Sequence, residues 1–583
     1  MLVTEQNVSE CLERVERSDD IVLDTETTGL GTWTGDKVCG VAVKAGGRGM
    51  YFPFRHEPVG NLPGARLGQL VRALSHKTTR GFHLRFDLEM MHNEGLPLPP
   101  KIEDTLIAAL LMNENEPSFA LKKSKKGIPG LSMRYLEDNC EASDRLDQLL
   151  ASRSLTKKDI YRLAPHEVEE YACGDLDLPE RLLEDVYRPA LERWGMTGTF
   201  AEYNDYQRLL VEMEIGGIPT DRGVIDAALA DGVVQRAALT EALTKGAGHP
   251  FNPNSWKQVS ALCGTPNAQE ETLTKSGHPL AAAIVDWKAY TKRDGTYLQR
   301  FIDFASPDGL LHPQLNLTRD ERDMGGTRSG RLSCSLPNLQ AMPKPKTNAI
   351  YAACRRAIIA PAGFTIVEAD YSQAEVRVAG HYSQEPALFL AFSEGRDLYQ
   401  EAADALRITR QESKILFLAI QYGAGAWKIA EMLGISKEEA WDLRGAWHGR
   451  FPRIKKMMYK LSDLAEKNGA VLLPEGRWAH FDGERKSVHC KSPYYTAWNR
   501  LIQGSVAGMI RKAMMNLAPC LAGIGGRMLL QVHDSILLLV PTHRMLHALP
   551  MIREAMEDFP EWDIPARVDI KAGPNWLDVK EAA

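Results

Sequence analysis

The chain has 583 residues, of which 44% are hydrophobic and 25% charged, and its net charge is −6. Length and composition fit a globular protein of about four domains and speak against a disordered or fibrous chain. The nine cysteines are scattered, odd in number and without a CxxC pair, which argues for reduced thiols inside a cell and against a disulfide framework or a zinc site.

The first segment, Met1-Leu2-Val3-Thr4-Glu5-Gln6, lacks a basic and apolar leader, and no apolar run is long enough to span a bilayer. A cytoplasmic protein without a membrane partner is expected. The negative charge does not advertise a nucleic-acid binder. A local basic channel would suffice for one, because catalytic carboxylates pull the total down.

Ile21-Val22-Leu23-Asp24-Thr25-Glu26 reads as a strand that ends in acids. Asp24 and Glu26 are two apart, so an extended chain points both to the same side. Phe86-Asp87 follows the polar turn Gly81-Phe82-His83 and opens a helix-like run. Tyr171 and Asp175 are four apart and stack on one helical face. These groups can gather three Asp, one Glu and a Tyr around two metal ions. Such a cluster repels itself when empty and is relieved by divalent cations. Between the motifs lies Leu121-Lys122-Lys123-Ser124-Lys125-Lys126-Gly127, an exposed basic loop that either touches single-stranded DNA or is simply solvated.

A boundary is expected near Trp194–Gly198. Tyr206 to Ile215 is an apolar-periodic helix stopped by Gly216-Gly217, and Ile218-Pro219-Thr220-Asp221 restarts the chain. Phe364 to Asp370 reads as a short buried strand that delivers an Asp at its end. Thr409-Arg410-Gln411-Glu412 is a capping-box pattern, so a helix should start there. Arg410, Lys414, Leu418 and Tyr422 then share one face. Two cations, a bulky group and an aromatic in that order describe a surface for triphosphate, sugar and base. Leu529 to Val540 reads as two apolar runs meeting at His533-Asp534, a hairpin able to lie beside Asp370. Two aspartates with hard oxygen ligands suit Mg²⁺. Taken alone, an Asp after a strand is more often a turn residue.

The motifs in this order resemble family A DNA polymerases, the relatives of bacterial DNA polymerase I. The resemblance rests on Asp-x-Glu, Phe-Asp and Tyr-x-x-x-Asp in the first third. It continues with Thr327-Arg328-Ser329-Gly330-Arg331 through Pro337-Asn338-Leu339-Gln340, Asp370 to Arg377, the Arg410–Gly423 helix, Trp498 to Gln503, and Gln531-Val532-His533-Asp534. It implies an α/β chain in two parts. A ribonuclease H-like 3′–5′ exonuclease domain would occupy 1–190, and a right-hand polymerase 191–583. Within the latter, the thumb would span about 200–325, the fingers about 386–499, and the palm about 326–385 and 500–583.

The resemblance assigns roles residue by residue. Asp24, Glu26, Asp87 and Asp175 would bind metals, and Tyr171 would orient the attacking water. Asp370 and Asp534, with the backbone carbonyl of Tyr371, would hold the polymerase metals. Each site would take two Mg²⁺, with Mn²⁺ able to substitute. Glu375 would block a 2′-hydroxyl, and Arg410, Lys414, Leu418 and Tyr422 would bind the nucleotide. Lys292, Arg293, Arg331, Asn338, Gln340, Asn499, Gln503 and His533 would contact primer–template DNA. The expected partners are that DNA and deoxynucleoside triphosphates, taken up by a monomer. The compact layout, without a counterpart of the family's 5′-nuclease, looks like phage or replicative relatives acting in a host cytoplasm. Rival readings are a nuclease with a degenerate polymerase half, a repair polymerase and a non-catalytic DNA-binding scaffold.

Several positions depart from the family pattern. His83 stands where Asn is usual, and Leu418 where Phe or Tyr lies beside the sugar. Tyr399 stands where relatives often have His, and Ser535 where Glu follows His-Asp. Arg328 and Ser329 interrupt the Thr-Gly step.

Overall fold

The computed structural model describes residues 1–124, 127–138, 141–317, 327–343, 348–481 and 493–582. Lys125 and Lys126 of the basic loop lie outside them. The chain is mixed α/β, with two five-stranded sheets that each carry an acidic motif.

The first sheet comprises β1 (Asp20–Thr27), β2 (Val38–Ala45), β3 (Arg48–Pro53), β4 (Thr78–Gly81) and β5 (Lys101–Asp104), in the order β3-β2-β1-β4-β5. The first three strands form antiparallel pairs, whereas β4 and β5 run parallel to β1. Alternation sorts the side chains onto two faces. Ile21, Leu23, Val41, Val43, Met50 and Phe52 join a core with α1 (Val8–Arg17) and α2 (Gly64–Leu74). Val22, Ala42 and Tyr51 face the other way, against Val168, Ala172 and Leu176. Those last three belong to a later helix, Pro165–Arg181. Asp24 and Glu26 share the parity of Val22, so the strand aims both acids toward that helix.

α3 (Arg85–Asn93) follows β4 and α4 is the helix Pro165–Arg181. α5 (Thr197–Gly216) ends where the sequence predicts, at Gly217, whose φ of +60° a side chain would strain. α6 (Arg222–Ala247) then begins with the Asp221 side chain accepting from the Val224 amide. It packs against α7 (Ala281–Lys292).

The second sheet contains β6 (Phe364–Tyr371), β7 (Arg527–Val532), β8 (Ser535–Pro541), β9 (Val568–Gly573) and β10 (Lys580–Glu581), in the order β7-β8-β6-β9-β10. Neighbours are antiparallel throughout. Ile366, Val367, Ala369, Ile536, Leu537 and Leu538 are buried in the large core that runs through the rest of the chain. α8 (Ala374–Ser383) follows β6, and the long α13 (Ala497–Gly523) packs on it and leads to β7. Between them stand α9 (Arg410–Gln421), α10 (Ala426–Leu433), α11 (Lys437–Arg450) and α12 (Pro452–Asn468). The expected capping box closes both ways at α9. Thr409 Oγ1 accepts from the Glu412 amide at 3.2 Å, and Glu412 Oε2 accepts from the Thr409 amide at 2.7 Å. No helix among the described residues is long and apolar enough to cross a membrane.

Candidate active sites

The first site lies where β1, α3 and α4 meet. Asp24 and Glu26 come from the strand, Asp87 from α3, and Tyr171 and Asp175 from α4. Burial raises the Asp24 carboxyl well above the ordinary range, and the charges of Asp87, Glu26 and Asp175 push the same way. Glu26 is raised to about 8, first by burial and then by Asp175. Asp87 is raised to about 7 by burial, although Thr25 opposes the shift. Thr25 donates to Asp87 Oδ1 from its amide at 2.9 Å and from its hydroxyl at 2.6 Å. The Tyr171 phenol is raised as well, by burial and by Asp175, Glu26 and Asp24. Asp24 and Glu26 therefore sense the neighbouring carboxylates as like charges in a shielded site.

The second site lies on the second sheet. Asp370 pairs in register with Ser535, the first residue of β8, and Tyr371 donates its amide to the Asp534 carbonyl at 3.0 Å. The turn His533-Asp534 thus sits against the end of β6, as the sequence predicts. His533 takes a positive φ of 54° there. Arg331 reaches both neighbours of this step. Its guanidinium donates to Glu375 Oε1 at 2.7 Å and lies 3.8 Å from Asp534 Oδ1. The Tyr422 hydroxyl donates to the same Glu375 carboxylate, at 2.8 and 3.0 Å to its two oxygens.

α9 meets this site through Tyr422, at its C-terminal end. Its buried side is Leu416, Phe417 and Ile420, while Arg410, Lys414 and Tyr422 are exposed and Leu418 is half-buried. Tyr399 lies beneath the two cations, with its ring centroid 5.9 Å from the Arg410 guanidinium and 6.0 Å from Lys414 Nζ. Arg410 Nε also donates to Asp397 Oδ2 at 2.6 Å. Gly423 ends the face with a φ of +77°, and a Cβ there would come within 2.8 Å of the Tyr495 ring.

Both sites offer carboxylate oxygens, the donors that Mg²⁺ and Mn²⁺ prefer. As the side chains stand, no three acidic, imidazole or thiol groups among the described residues converge as ligands of one ion. In the first site the reason is visible. Asp87 is turned to Thr25, and Asp175 is turned to the ammonium of Lys122. The donor set, all carboxylate oxygens, fits a hard divalent cation.

The model of DNA polymerase family A matches residues 232–578, and that of a 3′–5′ exonuclease matches residues 1–182. The chain belongs to DNA polymerase family A. It is 29% identical to the thermostable DNA polymerase I of Thermus aquaticus, over 87% of this chain and 58% of that protein. It is 26% identical to DNA polymerase I of Chloroflexus aurantiacus, over 99% of this chain and 63% of the relative. With DNA polymerase I of Rhizobium leguminosarum it shares 32% identity, over 70% of this chain and 43% of that one. The chain thus spans less than two thirds of the length of these relatives. A solved structure described as the POL domain of Pol1 from M. smegmatis in complex with DNA primer-template and dNTP has the same fold. The two share a TM-score of 0.80 at 24% identity, over 99% of each chain.

Among the residues predicted to contact DNA, Arg293 is buried in the fold. It is held by Asp294 at 2.7 Å, by Asp231 at 3.3 Å and by the Ala228 carbonyl. A guanidinium enclosed by two acids and a carbonyl serves the packing of α6 against the segment after α7. Lys292 is exposed. Asn338 is exposed and its Oδ1 accepts from the Ala341 amide at 3.1 Å. Gln340 donates to Gln531 of β7, at 3.0 Å to its carbonyl and 2.9 Å to Oε1, which ties its loop to the hairpin. Asn499 and Gln503 lie half-buried on α13, and a hydrogen bond from Gln503 helps hold the Tyr422 hydroxyl.

The motifs did not reveal several residues that the structure brings to the sites. Asp569 of β9 pairs in register with Asp370 and adds a carboxylate to that end of the sheet. Ser535 does not replace the acid its position usually carries, because its hydroxyl is buried and donates to the Val532 carbonyl at 2.9 Å. Lys122 reaches into the first site, to Asp175, from the basic loop that the sequence reads as exposed. Only its proximity to the motifs in sequence could have drawn attention to it.

Proposed function

We propose that the chain is a template-directed DNA polymerase that extends a primer 3′ end with deoxynucleotides and corrects errors with a 3′–5′ exonuclease. The observation that carries this reading is the seating of the Asp534 turn against the end of β6, which brings Asp370 and Asp534 to adjacent backbone. A face with two cations and an aromatic stands beside them. We read β6 to β10 with α13 as palm, α9 to α12 as fingers, and α6 with α7 as thumb.

Asp370 and Asp534 would hold divalent cations, Mg²⁺ or Mn²⁺, which when bound lower the pKa of the primer 3′-hydroxyl and neutralise the leaving pyrophosphate. Arg410 and Lys414 bind the triphosphate, and Arg410 exchanges Asp397 for it. The Glu375 carboxylate, fixed by Tyr422 and Arg331, fills the space beneath the sugar and excludes a 2′-hydroxyl. Arg331 and Gln503 present donors to the minor-groove acceptors common to all Watson–Crick pairs, so they sense pair shape rather than sequence. In the first site Asp24, Glu26, Asp87 and Asp175 would hold the nuclease cations, and Tyr171 orients the water that attacks the terminal phosphodiester. Primer–template DNA and deoxynucleoside triphosphates are the partners, and the chain works as a monomer.

The test is a labelled primer on a longer template with Mg²⁺. With all four nucleotides the primer should lengthen, and without them it should shorten. Shortening under both conditions would favour a nuclease with a degenerate second half. No change under either would leave a DNA-binding scaffold.

A further inference from the structure

Lys122 lies deeper than its neighbour Lys123, which is exposed. Its ammonium forms an ion pair with Asp175 Oδ1, and both side chains are only 12% exposed. The same nitrogen stands 4.2 Å from the centroid of the Tyr171 ring, a cation–π contact. Beyond that ion pair, neither Lys122 Nζ nor Asp175 Oδ1 has a hydrogen-bond partner among the described residues. Lys157 lies 5.1 Å from the same ring, but its side chain is 49% exposed and it also donates to Ser143 at 3.2 Å. Lys122 is thus the more enclosed of the two lysines that meet the Tyr171 ring.

The backbone that carries it is pinned. The Leu131 amide donates to the Ala120 carbonyl at 2.8 Å, and the Ser132 amide to the Leu121 carbonyl at 2.9 Å. A Cβ on Gly130 would lie 1.6 Å from the Lys122 carbonyl oxygen, so the two strands of this strap touch backbone to backbone. Any movement of the charge therefore belongs to the four-carbon stem, which turns freely once the ion pair opens.

We propose that Lys122 is a positioning residue of the nuclease site: its ammonium holds Asp175 beside Tyr171 while no divalent ion is bound, and leaves Asp175 before that carboxylate ligates one. This rests on the nuclease reading above. A carboxylate oxygen engaged by a buried ammonium is not offered to a metal, and a fixed positive charge repels an incoming dication. The lysine keeps the acid cluster from splaying apart and sets how much divalent ion is needed to load it. Removing its charge should therefore tighten metal binding.

The experiment uses the full chain carrying Asp370→Asn and Asp534→Asn, so that the nuclease site dominates the titration. Mn²⁺ binding is measured by calorimetry in the parent, Lys122→Met and Lys122→Arg, with Asp24→Asn defining which binding belongs to the site. Thermal melts check that each variant is folded. We expect Lys122→Met to bind Mn²⁺ at least about tenfold more tightly, about 1.4 kcal/mol, and Lys122→Arg to stay near the parent. The Mn²⁺ concentration for half-maximal shortening of a single strand should fall in parallel in Lys122→Met. If Lys122→Met melts too early to titrate, Lys122→Gln reads the same equilibrium. Binding that is unchanged or weaker in the uncharged variant overturns the proposal alone. A parent with neither Asp24-dependent binding nor strand shortening overturns the nuclease reading, and the proposal with it.

Discussion

Tyr371 donates its backbone N–H to the carbonyl oxygen of Asp534 at 3.0 Å. One hydrogen bond thus joins the residue after Asp370 to the other aspartate, 163 positions further along the chain. Asp370 stands near the end of β6, and Asp534 in the tight turn that joins β7 to β8 of the same sheet. Rigid elements hold a catalytic pair more closely than loops do.

Asp534→Asn should therefore abolish primer extension while sparing strand shortening. Loss of an anionic metal ligand at a phosphoryl-transfer site removes several kcal/mol, about 10³-fold in rate. Gel assays of extension and shortening on the same preparation separate the two activities. Equal loss of both would point to misfolding.

Glu375 is fixed by Tyr422 at 2.8 Å and by Arg331 at 2.7 Å. Glu375→Ala should open the space beneath the sugar and raise the ratio of ribonucleotide to deoxynucleotide incorporation at least about tenfold, about 1.4 kcal/mol. Single-nucleotide kinetics with paired ribo and deoxy substrates give the ratio. An unchanged value would show that another group guards the 2′ position.

Leu418 occupies the face of α9 between Lys414 and Tyr422. A phenyl ring there would add stacking worth about 1 kcal/mol, so Leu418→Phe should lower the nucleotide KM about fivefold. It should also change discrimination against dideoxynucleotides. Identical constants for both substrates in parent and variant would remove Leu418 from the sugar site.

Folded-state values of about 8 for Glu26 and about 7 for Asp87 lie above the ordinary carboxylate range. The folded chain therefore binds more protons there than the unfolded chain between about pH 4 and pH 8. In metal-free buffer this contribution to stability is present at the acid end and is lost as pH rises through that window. Glu26→Gln should melt with a flatter pH dependence than the parent, and saturating Mn²⁺ should restore the parent at pH 8. Parallel melting curves across the window would contradict the clustering of these acids.

Much of this arrangement is legible in local patterns. Asp24 and Glu26 share parity along a strand, Thr409 and Glu412 form a capping box, and apolar runs flank His533-Asp534. Each is a relation between residues a few positions apart. Relations across the chain are not legible in that way. Arg293 reads as a surface cation until Asp231 of α6 and the Ala228 carbonyl close around it. Asp569 lies in a strand whose own residues do not announce that it will pair with Asp370. Glu114 accepts from the His480 amide at 2.8 Å and from its ring at 2.9 Å, 366 positions away.

That last contact joins the segment following the first sheet to the hairpin Ala470–Leu472 and Trp478–His480. Burial alone would raise the Glu114 carboxyl, but the His480 hydrogen bond and the charges of Arg477, His480 and Arg500 bring it below the ordinary range. Glu114→Ala leaves those cations without their buried acid and should cost about 3 kcal/mol. Denaturant melts of parent and variant measure it. A loss under about 0.5 kcal/mol, typical of a surface substitution, would show that the contact does not bind the two regions together.

Primer extension by this site requires Asp370 and Asp534 to share a divalent ion. Crystals of the chain with primer–template, a nucleotide and Mn²⁺, read by anomalous scattering, test it most directly. A manganese peak should lie within about 2.0–2.3 Å of a carboxylate oxygen from each aspartate, the distance range of hard divalent ions on oxygen. Manganese bound elsewhere, with the two carboxylates on different ions or on none, would contradict it.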